Sequence, residues 1–234
     1  MKIKAGYIRL LCVKRGVENL VHFTRAENLY GIARHGLVPR WMLSQISSMR
    51  SAPIVNEKHR PDGHWDAVCL SIEFPDYILF ERYRARDPGA VWIVLELSPS
   101  VLWEGDCAFC WIHAAAPQIR SVSVPKLREI DSLAKMYAPR CAVTGKARSR
   151  AIPSGYPTNP QAQVLVFGTV APRYITGVCF ETLADMKAYS RSSLGLPEPR
   201  VEKSYFHPRL DHELWKSAAS DDAARPEFFA DQMS

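Results

Sequence analysis

The stretch from residue 19 to residue 40 constrains the fold of this chain more than any other part of the sequence. It begins with a short apolar run, residues 20–23, which predicts a β-strand. Thr24 and Glu27 have the spacing of a capping box, which predicts a helix that begins at this point. Gly36 has the conformational freedom that is needed just past a helix end. The stretch therefore predicts a strand that turns directly into a helix.

Polar side chains fall at the corner where this strand meets this helix, namely His22, Thr24 and Asn28. The first turn of a helix has N–H groups without partners and carries partial positive charge. Such a corner can bind a ligand that presents phosphates or an amide. An ordinary scaffold explains the same residues, with Thr24 as a cap and His22 as a strand histidine that has an internal partner. Both interpretations stay open at this point.

The pattern along the rest of the chain predicts the α+β class. Further strands are predicted at residues 7–13, 67–72, 90–97, 162–167 and 174–180, and further helices at residues 76–86, 124–137 and 182–190. No repeat or linker divides the sequence, so we expect one domain over residues 1–234. Residues 194–234 are expected to form a peripheral C-terminal segment whose residues 206–215 dock on the body. The usual dinucleotide and nucleotide-triphosphate folds are disfavoured, because their glycine-rich motifs are absent from the sequence.

The charge of the chain permits an anionic partner, since the formal net charge is +6. Lys146, Arg148 and Arg150 lie in a stretch with glycine and serine, and flexible basic loops often contact nucleic-acid phosphates. A solvated surface loop explains these residues equally well. No apolar run is long enough to cross a membrane, and the N-terminal sequence does not have the pattern of a signal peptide. We therefore expect a cytoplasmic protein that does not contact a membrane.

The six cysteines lie mostly in apolar runs, where a reduced thiol behaves as a small hydrophobic side chain. Cys107 and Cys110, followed by His113, have the spacing of part of a zinc site. No second pair of ligands completes that set in the sequence. We therefore expect reduced cysteines and no bound metal.

Four segments, in order along the chain, carry a resemblance to a known family. They are VHFT…ENLYGI…HGL, RPDGHWDAVCLSIEFPDY, WEGDCAFCWIHAAA and YPTNPQAQVLVFG…YITGVCF. Over about residues 17–180 they resemble DarT, the DNA ADP-ribosyltransferase toxins of bacterial toxin–antitoxin pairs. The resemblance implies the ADP-ribosyltransferase fold, in which two small packed β-sheets with flanking helices enclose a cleft for NAD⁺. It also implies single-stranded DNA as the substrate and a macrodomain antitoxin of the DarG type as a partner.

The resemblance implies NAD⁺ contacts at the positions that match the family's motifs. The family's H-x-T corresponds to His22-Phe23-Thr24, which is implied to hold the nicotinamide and its ribose. Asn28 is implied to lie at the cofactor as well. Ser71 falls where the family lines the nicotinamide pocket, and a hydroxyl of the core would explain it equally.

Further positions are implied to serve the reaction itself. In the family, an arginine before the second core strand orients NAD⁺ and assists catalysis. Arg60 is the preferred candidate here and Arg50 is the second, while a surface role would also explain Arg60. His113 matches a histidine near the substrate base, and its apolar surroundings make a purely structural role harder to argue.

The largest departure from the family concerns the catalytic residue. The family's strand has the pattern Q-A-E-x-L-V with a catalytic glutamate, whereas this chain has Q-A-Q at residues 161–163. Alternation along a strand places Gln163, Leu165 and Phe167 on one face, so that Gln163 points where the glutamate would. An amide can form hydrogen bonds but cannot accept a proton as a carboxylate does. A loss of roughly 10²–10⁴ in rate is expected when a general base is removed.

Two explanations fit Gln163. The glutamate has been replaced deliberately, because an active DNA-modifying toxin kills its host, or this is a natural member that binds without turnover. The intact surrounding motif favours the first. The open functions are transfer of ADP-ribose to single-stranded DNA, the same transfer to RNA or protein, and a catalytically dead module that binds NAD⁺ and nucleic acid.

Overall fold

The computed structural model describes residues 2–43, 45, 60–189 and 195–216, and it confirms the α+β prediction. The strands are β1 Leu20–Arg25, β2 Ala67–Ile72, β3 Trp92–Leu97, β4 Asp106–Cys110, β5 Gln163–Phe167, β6 Ile175–Phe180 and β7 Pro199–Val201. The α-helices are α1 Lys2–Arg15, α2 Leu29–His35, α3 Arg40–Leu43, α4 Tyr77–Arg86, α5 Val101–Glu104, α6 Pro117–Arg120, α7 Val124–Leu127, α8 Ile130–Lys135 and α9 Leu183–Tyr189. Short 3₁₀ turns span Ala26–Asn28, Pro172–Tyr174 and Lys203–Phe206.

The strands form a seven-stranded sheet in the order β4-β5-β2-β1-β3-β6-β7. All neighbours are antiparallel except β6 and β7. Strand β1 pairs with β3 along its whole length. It pairs with β2 only at Leu20–Ile72 and Val21–Ser71, and the two strands diverge beyond that point. The two small sheets that were expected are thus two halves of one sheet, joined at this short seam.

Both faces of the sheet are buried, as alternation along β5 shows. Val164 and Val166 pack in one core with residues of α1, α2, α5 and α8. Leu165 packs in the other core with residues of α4, α6, α7 and the C-terminal segment. The predicted alternation along this strand is confirmed, and Gln163 falls on the same side as Leu165.

The first predicted strand, residues 7–13, is wrong, because these residues lie in helix α1. Ile8 and Cys12, one helical turn apart, are buried, while Tyr7 and Leu10 are exposed. A short apolar run fits a strand and a buried helix equally well, and only the partners across the core decide between them.

The predicted helix at residues 124–137 is in fact two short helices, α7 and α8. Glu129 separates them with an extended backbone (φ −78°, ψ 156°). Leu127, Leu133 and Tyr137 of this stretch are nevertheless buried, whereas Ala134 is exposed. The break reorients the chain between two parts of the core that the periodicity alone does not distinguish.

The C-terminal segment docks on the body, as predicted for residues 206–215. Arg209 and Asp211 form a fully buried ion pair, with Nε to Oδ1 at 2.6 Å and Nη2 to Oδ2 at 2.8 Å. The guanidinium also donates to the carbonyls of Pro157 and Thr158, and the Trp215 indole N–H donates to Asp211 at 3.0 Å. This cluster therefore fastens the C-terminal segment to the loop that leads into β5.

Asp211→Ala should lower the free energy of unfolding by about 3–5 kcal/mol, because it leaves the Arg209 guanidinium buried without its counter-charge. The neighbouring Leu210→Ala is the control, since Leu210 is 75% exposed and its loss should cost under about 0.5 kcal/mol. Urea unfolding of both variants measures the difference. Equal stability of the two variants would show that the cluster contributes nothing to the fold.

Candidate active site

A cavity opens where β1 and β2 diverge. Its wall contains every cleft residue predicted from the sequence: His22, Thr24, Asn28, Arg60, Ser71, His113 and Gln163. The pairing explains the convergence, because Val21 lies opposite Ser71, and Leu70 lies opposite Val164, the residue that follows Gln163. The structure therefore brings these positions to one cavity, while the roles assigned to them remain predictions. Arg50, the second arginine candidate, lies outside the described residues.

His22 is held in one tautomer by the neighbouring strand. Its Nδ1 lies 2.9 Å from the carbonyl oxygen of Cys69, so Nδ1 carries the proton and Nε2 is left as an acceptor. Burial lowers the pKa of His22, the positive charge of Arg60 lowers it further, and the hydrogen bond to Cys69 opposes the shift. The ring is therefore a neutral acceptor at physiological pH.

The corner after β1 differs from the predicted capping box. Thr24 is still part of β1, a 3₁₀ turn follows, and α2 begins only at Leu29 without a side-chain cap. The Thr24 hydroxyl instead accepts a hydrogen bond from the Asn28 amide nitrogen at 3.0 Å. The capping interpretation is wrong, but the two residues are locked together at the cavity wall. The predicted helix end is confirmed, since Gly36 has a φ of +79°.

Arg60 is positioned by an aspartate that the sequence patterns did not single out. Its Nε and Nη2 donate to the two carboxylate oxygens of Asp62 at 3.0 and 2.7 Å, and Nη2 also lies 3.3 Å from the Cys69 sulfur. A bidentate pair of this kind fixes the plane of the guanidinium. Arg60 is therefore held in a fixed orientation in the cavity wall and is not a surface arginine.

Backbone N–H groups orient the side chains on the opposite wall. The Gln163 carbonyl oxygen accepts from the Ala114 N–H at 3.0 Å, so its amide nitrogen is the terminal atom left for a ligand. The Ala115 N–H donates to His113 Nδ1 at 3.2 Å, so a neutral His113 carries its proton on Nε2. Both residues thus present N–H donors, and neither presents a proton acceptor.

A second buried carboxylate in the wall belongs to Asp76, which the sequence identified only as the start of a helix. Its side chain is the N-cap of α4 and accepts from the Leu79 N–H at 3.0 Å. Burial raises the pKa of Asp76, and the nearby His113 opposes the shift. The aspartate before a helix is an ordinary capping signal, which concealed its position at the cavity.

The basic stretch does not line this cavity, and part of it is engaged within the protein. Arg148 donates to the carbonyls of Tyr156 and Pro153 at 2.6 and 2.7 Å, and Lys146 Nζ donates to the carbonyl of Leu214 at 2.7 Å. Arg150 is exposed. Arg148 therefore braces the loop ahead of β5, and contact of this stretch with phosphates remains a prediction that rests chiefly on Arg150.

Of the residues that raised the possibility of zinc, Cys107 and Cys110 lie in the cores on opposite faces of the sheet, and His113 lines the cavity. Cys107 donates to the carbonyl of Val101 at 3.3 Å, and burial raises the pKa of its thiol to about 12. Across the described part of the chain, no group of three or more possible metal ligands lies together. The same residues contain no helix long and apolar enough to cross a membrane.

Comparison with known proteins places the chain in a family. The family model described as "ssDNA thymidine ADP-ribosyltransferase, DarT" matches residues 21–207. The chain belongs to the DarT family. No curated protein sequence matches it.

Solved structures of DarT proteins have the same fold. A DarT of Thermus sp. 2.9 in complex with carba-NAD⁺ superposes with a TM-score of 0.51 and 17% identity, over 81% of this chain and 98% of that one. A DarTG of Thermosipho africanus in complex with ADP-ribose has a TM-score of 0.51 and 15% identity, and covers 81% of this chain. The match spans only 51% of the Thermosipho chain, so this chain corresponds to about half of it.

An ordinary histidine has a pKa near 6.5 and is half protonated at that pH. His22 should be mostly neutral at the same pH, because burial and the charge of Arg60 lower its pKa. An NMR titration of the ring carbons should give a midpoint below that value. Arg60→Gln should raise the midpoint, because it removes a positive charge that faces the ring. A midpoint at or above 6.5 in the wild-type chain would contradict the account.

Proposed function

We propose that this chain binds NAD⁺ in the cavity at the β1–β2 seam and transfers its ADP-ribose to a thymidine base of single-stranded DNA. The observation that carries the proposal is the convergence of the family's motif positions on one cavity of a DarT fold. We further propose that the activity resides in one cytoplasmic domain that acts as the toxin of a toxin–antitoxin pair.

The chemistry of the cavity wall suits NAD⁺. The acceptor Nε2 of His22 suits the donor side of the nicotinamide amide, and the Thr24–Asn28 pair adds polar atoms for the attached ribose. Arg60, held flat by Asp62, suits the pyrophosphate, because a guanidinium fork matches phosphate oxygens. The residues present therefore fit the dinucleotide without a metal ion.

The reaction breaks the bond between ribose and nicotinamide and forms a bond from ribose to a base nitrogen, which loses its proton. His113 and Gln163 would lie near the reacting atoms as donors that orient the ribose hydroxyls and the base. The amide of Gln163 cannot accept the proton, so we propose that it holds the rate well below that of a chain with glutamate.

The partners of the reaction follow from the same proposal. The exposed Arg150 and the net charge of +6 favour a phosphate backbone over a protein target. The Thermosipho relative is a DarTG chain about twice as long as the matched part. We therefore propose a macrodomain antitoxin of the DarG type as the partner that restrains this chain.

A second candidate function rests on Gln163. A chain that has lost the carboxylate and kept the cavity could bind NAD⁺ and nucleic acid without turnover. That alternative predicts additional changes elsewhere in the site, so that a single substitution would not restore transfer.

The deciding experiment is Gln163→Glu, incubated with labelled NAD⁺ and with single-stranded DNA, RNA and protein in parallel. Transfer to DNA should rise by roughly 10²–10⁴ over wild type, because a proton-accepting carboxylate returns to position 163. Gln118→Glu is the matched control, since it adds the same charge at an exposed position on α6 outside the cavity. Expression of Gln163→Glu should be toxic unless the antitoxin is present.

Outcomes of this experiment separate the candidates. Labelled RNA or protein in place of DNA would assign a different substrate class. A folded, NAD⁺-binding Gln163→Glu that labels none of the three would favour the binding module. Failure of both wild type and variant to bind NAD⁺ would overturn the proposed function.

A further inference from the structure

We propose that Asp76 is the proton acceptor of the transfer reaction in this chain, in place of the carboxylate that position 163 lacks. The inference rests on the proposed function and identifies a further catalytic residue for it. It predicts that the wild-type chain is a slow enzyme and not an inert one.

Asp76 lies in the cavity beside the residues that would surround the reacting atoms. Its side chain is buried, with the residue only 1% exposed, and it lines the same cavity as His113 and Gln163. The side-chain nitrogen of Gln161 lies 3.5 Å from Asp76 Oδ2, which ties the carboxylate to the segment that carries Gln163. A carboxylate therefore lies in the same cavity wall as Gln163, supplied by the residue before α4 and not by β5.

The hydrogen bonds of Asp76 leave it capacity to accept a proton. Oδ1 accepts from the Leu79 N–H, which is its capping role. A carboxylate has about four acceptor sites, and the contact of Oδ2 with Gln161 is at the long limit for a hydrogen bond. Oδ2 can therefore take the proton of a substrate while Oδ1 keeps the helix capped.

Four other ionisable groups that line the cavity, two acids and two histidines, are less suited to this task. Asp62 has both oxygens engaged by Arg60, and Glu27 lies exposed on the 3₁₀ turn after β1. His113 presents a donor because a backbone N–H occupies its Nδ1. His22 can accept at Nε2, but its ring is held at β2 by the hydrogen bond from Nδ1 to the Cys69 carbonyl. Asp76, by contrast, is a buried carboxylate that contacts Gln161, two residues from Gln163.

The surroundings of Asp76 shift its pKa in the direction that favours a proton acceptor. Burial raises its pKa, while the nearby His113, the hydrogen bonds from Leu79 and Gln161, and Arg82 on the same helix lower it. Burial raises the pKa of the adjacent Tyr77, and the charge of Asp76 contributes to that rise. A carboxylate whose pKa is raised toward neutrality is a better general base at physiological pH than an ordinary aspartate.

The proton balance of the step is complete without a further reactant. The bond from the ribose carbon to the positively charged nicotinamide breaks, and its electron pair leaves with neutral nicotinamide. The ring nitrogen of the base forms the new bond to that carbon, and its proton passes to Asp76 Oδ2. Asp76 then releases the proton to water, so one proton is produced for each ADP-ribose transferred.

The test compares Asp76→Asn with wild type in labelled NAD⁺ transfer to single-stranded DNA across a range of pH. Asparagine caps a helix as well as aspartate does, so the fold should be kept, and Asp76→Ser is made alongside because serine also caps. Glu81→Gln is the control, since it removes one negative charge from the exposed side of the same helix. Asp76→Asn should lower wild-type transfer by about 10²-fold and Glu81→Gln by less than twofold.

The pH profile is a readout that a structural role would not move. Wild-type transfer should rise with pH through the raised pKa of Asp76, since only the ionised carboxylate accepts a proton, and Asp76→Asn should lose that rise. In the Gln163→Glu background, Asp76→Asn should cost less than about threefold, because the restored glutamate takes over the proton.

Three results would overturn the inference. They are full transfer by a folded Asp76→Asn or Asp76→Ser variant, a pH profile of those variants equal to that of wild type, and an inert wild type beside an active Gln163→Glu chain. In all three the proposed function survives if Gln163→Glu labels DNA. Loss of transfer in every chain, Gln163→Glu included, counts against the proposed function itself.

Discussion

The short pairing between β1 and β2 is the interaction on which the rest of this structure depends. Two residue pairs, Leu20–Ile72 and Val21–Ser71, hold the halves of the sheet together, and the strands then separate. Backbone groups left by a separating pair need other partners. The Cys69 carbonyl finds one in the His22 ring, so the opening in the sheet also fixes the tautomer of a cavity residue. The separation of β1 from β2 therefore both opens the cavity and orients a side chain in its wall.

The strands could be predicted from local patterns, and the residues that share the cavity from the resemblance to the DarT family. Short apolar runs identified β2 and β3, and alternation along β5 predicted the face of the strand on which Gln163 lies. The errors arose where two local patterns were equally satisfied. The apolar run in α1 fits a strand or a helix, and the Thr24–Glu27 spacing fits a cap that the chain does not form.

The partners of the cavity residues could not be predicted, because they depend on side chains that meet only after folding. Asp62 fixes Arg60 from two residues away, and nothing in that spacing distinguishes it from a surface pair. Asp76 has the signature of a helix cap and is one, yet the fold also turns it into the cavity. Arg148 shows the opposite case, since its charge suggested phosphate contact while the carbonyls of a loop engage its guanidinium.

The central claim is that the opening between β1 and β2 binds NAD⁺, and an NMR titration of the wild-type chain with NAD⁺ tests it most directly. The account predicts that backbone amide resonances of Thr24, Cys69 and Ser71 shift in a saturable way. Those around the separate surface hollow at Trp111 and Lys126 should stay in place. Shifts confined to that hollow, or no saturable shift at the seam, would contradict the claim.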